Sequence, residues 1–200
     1  MIVLDLFCGT KSLKTVIEKI GYEYIGLDIE EKFNPDICID FLEWDYKSIV
    51  PDILWASPDC AVYSMLGGGR HFGKDREPKT EKAKIQLKLL KKLKECINYY
   101  LCVNPNLIFF IENPTARMVW FINEYPRYDL SYCKYGFNRM KPTTIWTNKP
   151  NFVPKKCKNS NPDCHHLKTP RGCRTHGTQA INKTERYKVP IDLLTELFTF

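Results

Sequence analysis

Apolar positions along the chain fall into two kinds of run. Short unbroken runs of strand length recur at Ile2–Phe7, Tyr24–Ile29, Ile37–Ile39, Ile53–Ala56 and Leu107–Ile111. Between the first two, "TKSLKTVIEKIG" sets Leu13, Val16, Ile17 and Ile20 on one helical stripe, and Gly21 supplies a C-terminal stop. From Thr80 to Leu101, Ile85, Leu89, Leu93, Ile97 and Leu101 recur at every fourth position with lysines opposite, the pattern of an amphipathic helix with a wet lysine face. Buried strands alternating with helices predict βαβ units, and so an α/β fold with a mostly parallel, doubly wound sheet and helices on both faces. Two more strand-like runs follow, Tyr128–Tyr135 and Thr143–Thr147. Residues Asn148 to Lys183 read as loop, and the closing "VPIDLLTELF" as a short helix begun by Pro190.

Composition narrows the class. Two hundred residues, 44% apolar and 26% charged, suffice for one such domain and little else. No run approaches the roughly 18 apolar residues of a membrane span. The opening "MIVLDLFCGT" lacks the basic region and cleavage site of a signal peptide. The expectation is an intracellular, cytoplasmic protein with no membrane partner, its nine cysteines kept as thiols or metal ligands. The net charge of +7 is uneven: residues 134–200 hold 13 Lys and Arg against 4 Asp and Glu. That is what a phosphate backbone would select, although a solvated lysine-rich surface gives the same count.

Ligands of such sheets bind beyond the carboxyl ends of the strands. There the chain reads "FCGT", "LDIEE", "DFLEWD", "SPDCAVYS" and "ENPTARM". Gly9 lets backbone approach a ligand, and Asp28, at the end of the second strand, can accept both hydroxyls of a ribose. Cys60 follows a buried strand in an unshielded loop, the setting of a nucleophile, and the glycine-rich Leu66–Pro78 that follows reads as flexible and able to close over a substrate. "IFFIENP" drives Glu112 out of an apolar strand, where partial desolvation suits it to holding or giving a proton.

In their order and spacing, "DLFCGT", "SPDCAVYS", "GGRHFGKDR" and "ENPTARM" resemble the cytosine-5 DNA methyltransferases. Short viral or phage-type members are the most similar, sharing also "KPTTIWTN" and "ERYKVPIDLL". The resemblance implies the Rossmann-like class I S-adenosylmethionine-dependent methyltransferase fold, with a catalytic domain at 1–148, a small Cys/His-rich basic insertion at 149–183 in place of a target-recognition domain, and a returning C-terminal helix at 184–200. For a viral member the compartment would be the host cell. The implied partner is DNA with a flipped cytosine. Cys60 would add to ring carbon 6, Glu112 would hold the exocyclic amine and ring nitrogen 3, and Arg139, with Lys141 beside it, would stand near the base. For the cofactor, S-adenosylmethionine, Phe7 would stack on adenine and Gly9 would form the close turn. Asp28 would take the ribose, Asp40 the adenine amine, and Ser57 and Pro58 the wall under the methionine part. Cys8, Thr10, Ile29 and Phe41 would complete this lining. The chain departs from the family pattern at Asp59, which stands where proline usually precedes the cysteine, and at Lys11 and Ser12 in the first turn. A carboxylate at 59 disfavours the Cys60 thiolate unless it faces away. Two alternatives remain at this point: the same chemistry on RNA or a free cytidine nucleotide, and an inactive relative that binds nucleic acid.

Cys157, Cys164, His165, His166, Cys173 and His176 crowd into a stretch with little else to order it. It reads either as a structural zinc site or as an unligated coil. For zinc, Cys157, Cys164, Cys173 and His176 are the ligand choice, with His165 the substitute.

Overall fold

The computed structural model describes residues 1–65, 68–168, 178 and 181–199. Among them, seven strands build one sheet: β1 (Ile2–Leu6), β2 (Glu23–Asp28), β3 (Ile37–Cys38), β4 (Ile53–Ala56), β5 (Ile108–Pro114), β6 (Arg127–Ser131) and β7 (Pro142–Thr147). Their order is β3-β2-β1-β4-β5-β7-β6. The first five are parallel to one another, and β7 runs antiparallel to both β5 and β6. This order, with a reversed strand slotted between β5 and β6, is that of the Rossmann-like class I methyltransferase fold.

Strand side chains alternate between two cores. Leu4, Leu6, Leu54, Ala56, Phe109, Ile111 and Trp146 face helix α3 (Glu81–Val103) through Leu90, Leu93 and Ile97. Val3, Ile53, Trp55, Phe110 and Ile145 face α1 (Lys14–Lys19) and α5 (Ile191–Phe198). The expected helices are therefore present, one on each face of the central strands, and α5 brings the end of the chain back against α1. The Thr80 hydroxyl accepts from Ala83 N at the start of α3, satisfying one of the helix's orphan donors. Ile85, read as part of the buried stripe, is exposed; Ala83, Cys96 and Tyr100 are buried instead. No helix among the described residues is long and apolar enough to cross a membrane.

Two strand ends differ from the sequence reading, and both bear on the site. The run Tyr128–Tyr135 stops as strand at Ser131 and turns into a 3₁₀ turn, Tyr132–Tyr135, which Gly136 ends at φ +87°. The fifth strand does not stop at Ile111. Pairing with antiparallel β7 carries it on through Glu112↔Ile145 to Pro114↔Thr143. The loop after Cys60 is also less loose than its glycines suggest. Leu66 and Gly67 lie outside the described residues, but α2 (Gly68–His71) follows, and Phe72, bridged to Pro78, is buried against Tyr63 and Phe121.

Candidate active site

The turn after β1 leaves the sheet through left-handed backbone: φ is +63° at Phe7, +47° at Gly9 and +54° at Lys11. Two of these are not glycine, and such strain is kept where the surroundings enforce it. Asp28 does part of the enforcing. One carboxylate oxygen accepts from Gly9 N and the other from Glu30 N, each at 2.9 Å, so the end of β2 grips the β1 turn. Cys8 lies buried under the turn; burial, then Asp5 and Asp28, push its thiol up to about 12. It fills space against Gly26, where an added Cβ would meet Cys8 Sγ at 3.1 Å and Tyr24 Oη at 2.7 Å. Phe7 packs edge-on against Phe41, and Asp40 accepts from Leu42 N. Ile29 is 61% exposed at the carboxyl end of β2. Ser57 Oγ accepts from Trp55 Nε1 at 2.7 Å, and Pro58 begins the next loop. All ten residues expected around the cofactor thus lie along the carboxyl ends of β1, β2, β3 and β4. A small cavity beside them, of about 130 Å³, is lined by Thr10, Lys32 and Phe33 together with Thr184 and Tyr187 from the returning C-terminal segment. The sequence reading had not singled out the last four.

Cys60 opens a helical turn just beyond β4, its carbonyl accepting from Tyr63 N and Ser64 N. Glu112 lies on β5, one residue past the Ala56↔Ile111 pair that joins the two strands. Two contacts fix these segments to each other: Asn113 Nδ2 donates to Pro58 O at 2.9 Å, and Arg117 Nη1 donates to Ser64 O at 2.8 Å. The Asp59 carboxylate accepts from Ala61 N and is paired with Lys82 Nζ at 2.9 Å, although its charge still adds a smaller push to the Cys60 thiol. The half-buried Cys60 thiol is pushed above its ordinary value. Burial is the main cause, and the charge of Glu112 adds to it, while Lys141 opposes it.

Two side chains complete the centre. Tyr132, fully buried in the 3₁₀ turn after β6, donates its hydroxyl to Glu112 Oε1. Burial and the Glu112 charge push the phenol well above its ordinary value, so it keeps its proton and acts as donor. Lys141 is buried, with Nζ 4.5 Å from the centre of the Tyr132 ring and donating to Arg186 O. Arg139, the expected cation, donates Nη1 to its neighbour's carbonyl, Asn138 O, with its Nε buried. Lys141 is the cation whose charge reaches Cys60. Tyr132 escaped the sequence reading because its run looked like uninterrupted strand; Gly136 was the one signal of a turn.

A second cluster lies on the outer side of the same 3₁₀ turn. Sγ of Cys133, Cys157 and Cys164 and one ring nitrogen of His166 all fall within 4.8 Å of one another. Cys157 and Cys164 were expected together. Cys173 and His176 lie outside the described residues, and His165 points elsewhere, its Nε2 3.1 Å from Phe137 O. Cys133, buried in the 3₁₀ turn, was not among the expected ligands.

The comparisons with known proteins follow from this geometry. No family model matches the chain. A probable DNA (cytosine-5)-methyltransferase of Frog virus 3 (isolate Goorha) is 33% identical, with 98% of each chain covered. Among solved structures, the methyltransferase EhMeth of Entamoeba histolytica overlays at TM-score 0.46 and 18% identity, covering 79% of this chain and 57% of its own. The Dnmt2 methyltransferase of S. pombe overlays at 0.49 and 15%, covering 78% and 52%. The chain spans a little over half the length of these two solved proteins.

Proposed function

The chain belongs to the cytosine-5 DNA methyltransferase family, and from that premise we propose that it transfers the methyl group of S-adenosylmethionine to carbon 5 of cytosine in DNA, with Cys60 as nucleophile. The observation that carries this reading is the coupling of Cys60 to a buried carboxylate on the neighbouring strand, Glu112, which a tyrosine holds in place.

The cofactor end fits its group. A backbone turn free of side-chain bulk at Gly9, an exposed isoleucine at the end of β2 and a carboxylate aimed at that turn are what a nucleoside with an amino-acid tail needs. Asp28 keeps one outer lone pair on each oxygen for ribose hydroxyls. Phe7 and Ile29 would flank the adenine, Asp40 would accept from its amine, and Ser57 and Pro58 would back the sulfonium. When bound, the cofactor supplies an electrophilic methyl group.

The remaining work is done by the chain. The Cys60 thiolate forms a bond to carbon 6 of a cytosine turned out of the helix, and the electron pair of the 5,6 double bond becomes nucleophilic at carbon 5. Glu112, with Oε1 held by Tyr132, has Oε2 for the exocyclic amine and ring nitrogen 3, where a proton neutralises the charge that addition creates. Once carbon 5 carries the methyl group, its proton passes to water, the electron pair of that C–H bond re-forms the double bond, and Cys60 leaves as thiolate. Lys141 favours the thiolate before addition.

The experiment is a trap. With S-adenosylmethionine present, duplex DNA carrying 5-fluorocytosine stalls after thiol addition and methyl transfer, because carbon 5 then carries fluorine and has no proton to lose when Cys60 should be expelled. The full-length chain should form a denaturant-stable adduct with it, and Cys60→Ser should form none. Parallel assays with labelled cofactor on cytosine-containing DNA, RNA and cytidine nucleotide report the substrate. An adduct in Cys60→Ser moves the nucleophile to another cysteine, turnover on RNA or nucleotide alone removes DNA, and an absence of turnover on all three, with cofactor bound, leaves only a binding protein.

A further inference from the structure

We infer that Cys133, Cys157, Cys164 and His166 bind one zinc ion, which clamps the loop-like segment after β7 onto the 3₁₀ turn that carries Tyr132. The donors are brought together from two distant parts of the chain. Cys133 comes from that turn and the other three from a stretch that contains neither helix nor strand among its described residues 148–168.

The donor spacing is near that of a tetrahedral site. With zinc–sulfur distances of about 2.3 Å, the edges of such a site measure about 3.8 Å. Cys157 Sγ lies 3.8 Å from His166 Nδ1, and no pair of the four donors exceeds 4.8 Å. Three thiols and an imidazole form a donor set that suits zinc rather than a hard cation.

Burial argues in the same direction. Cys133, Cys164 and His166 are 1%, 8% and 3% exposed, although cysteine-rich loops normally lie on the surface. His166 Nε2 is buried with no hydrogen-bond partner among the described residues, and its Nδ1 has only a sulfur contact. A buried imidazole so poorly satisfied is costly unless a metal takes one nitrogen.

The segment has little other means of holding its shape. Its apolar anchor is Phe152, against Tyr128. Beyond it the segment is held by polar contacts, among them Ser131 N to Lys155 O, Lys155 N to Tyr135 Oη, Cys157 N to Ser131 Oγ, Leu167 N to Asn138 O and the Lys155–Glu196 ion pair. A stretch that buries this little apolar surface needs a cross-link, and a metal supplies one. The site also has a consequence for catalysis, since Cys133 is covalently next to Tyr132, whose hydroxyl holds Glu112.

The test uses the full-length chain purified without chelator. Elemental analysis should find one equivalent of zinc, and exchange with cobalt should produce the intense visible bands of a tetrahedral thiolate site. Cys133→Ser and Cys164→Ser should lose the metal. His166→Cys, which keeps four ligands, should retain it and shift the cobalt spectrum toward an all-sulfur site. The double variant Cys173→Ser/His176→Ala should retain one equivalent. The inference is overturned if the native chain is metal-free with all thiols titratable, or if mass analysis finds a disulfide among these cysteines. It is equally overturned if Cys173→Ser/His176→Ala loses the zinc while Cys133→Ser keeps it. The native stoichiometry and cobalt spectrum decide the matter even where a serine variant fails to fold.

Discussion

Tyr132 Oη and Glu112 Oε1 lie 2.8 Å apart, both buried, and the tyrosine is the donor. One oxygen of the proposed catalytic carboxylate is thereby fixed, and the orientation of the other follows. Tyr132→Phe keeps the ring and removes only that bond. A hydrogen bond to a charged group contributes about 1.5–3 kcal/mol. Methylation should therefore slow by roughly ten- to a hundredfold in kcat, with cofactor affinity and the 5-fluorocytosine adduct preserved. Steady-state kinetics check it; an unchanged kcat would mean that Glu112 is held by something else.

Cys60 gives a prediction with opposite signs in two assays. Its thiol titrates above the ordinary 9.0, so at neutral pH little thiolate is present, and each unit of rising pH up to the folded value multiplies it about tenfold. Alkylation of Cys60 should climb with pH beyond 9.0. Glu112→Gln removes a charge that raises the thiol and should quicken alkylation at pH 8 while slowing methylation. Lys141→Met removes the opposing cation and should slow both. Site-resolved mass spectrometry of alkylated peptides measures this, and slower alkylation in Glu112→Gln would break the proposed coupling.

Parts of this centre could be read directly from residue order. Cys60 and Glu112 each follow or end an apolar run, and consecutive parallel strands of one sheet bring such ends together. Asp28 was legible for the same reason. Tyr132 and Cys133 were not, because their function depends on where β6 stops. A run of aromatic and apolar residues does not reveal that until Gly136 reverses the backbone. The grouping of the Cys/His cluster was only half legible. Spacing within the loop cannot point to a partner 24 residues upstream that is delivered by the fold. Lys141 was named only beside Arg139, since sequence cannot tell which of two nearby cations turns inward.

Asp5, in the middle of β1, is buried at 1% exposure, with Tyr24 donating to its Oδ2. Burial raises it from 3.8 to about 7, against the Tyr24 hydrogen bond and with a further push from Asp28. The sign follows from proton binding. Between these values the folded chain holds a proton that the unfolded chain has released, so this contribution is complete below pH 3.8 and is lost as pH rises through about 7. At about 1.4 kcal/mol per unit, its full span is a few kcal/mol. Asp5→Asn keeps an acceptor for Tyr24 and removes the titration. Denaturant unfolding of both proteins at pH 5 and pH 8 should find the variant gaining on the native chain at the higher pH. A difference that stays constant between the two would mean that Asp5 is not a proton carrier in the fold.

Asp28 joins structure and cofactor binding in one group, and the two can be separated. Its carboxylate accepts from Gly9 N and Glu30 N, closing the β1 turn onto the end of β2. Asp28→Asn keeps one acceptor but presents an amide N–H to the other backbone donor, leaving a partly buried N–H unpaired. That costs about 1–3 kcal/mol of stability, and the turn loses the shape that Gly9 provides. A ribose would also lose one of its two acceptors, so cofactor affinity should fall by more than the stability loss accounts for. Glu30→Ala is the contrasting change. It keeps the backbone N–H that Asp28 uses and alters only an exposed side chain paired with Lys32. It should leave melting temperature and cofactor affinity near native. Calorimetric titration of both variants with S-adenosylmethionine, alongside thermal melts, makes the separation. Loss of affinity in Glu30→Ala, with Asp28→Asn near native, would place the ribose on Glu30 rather than on Asp28.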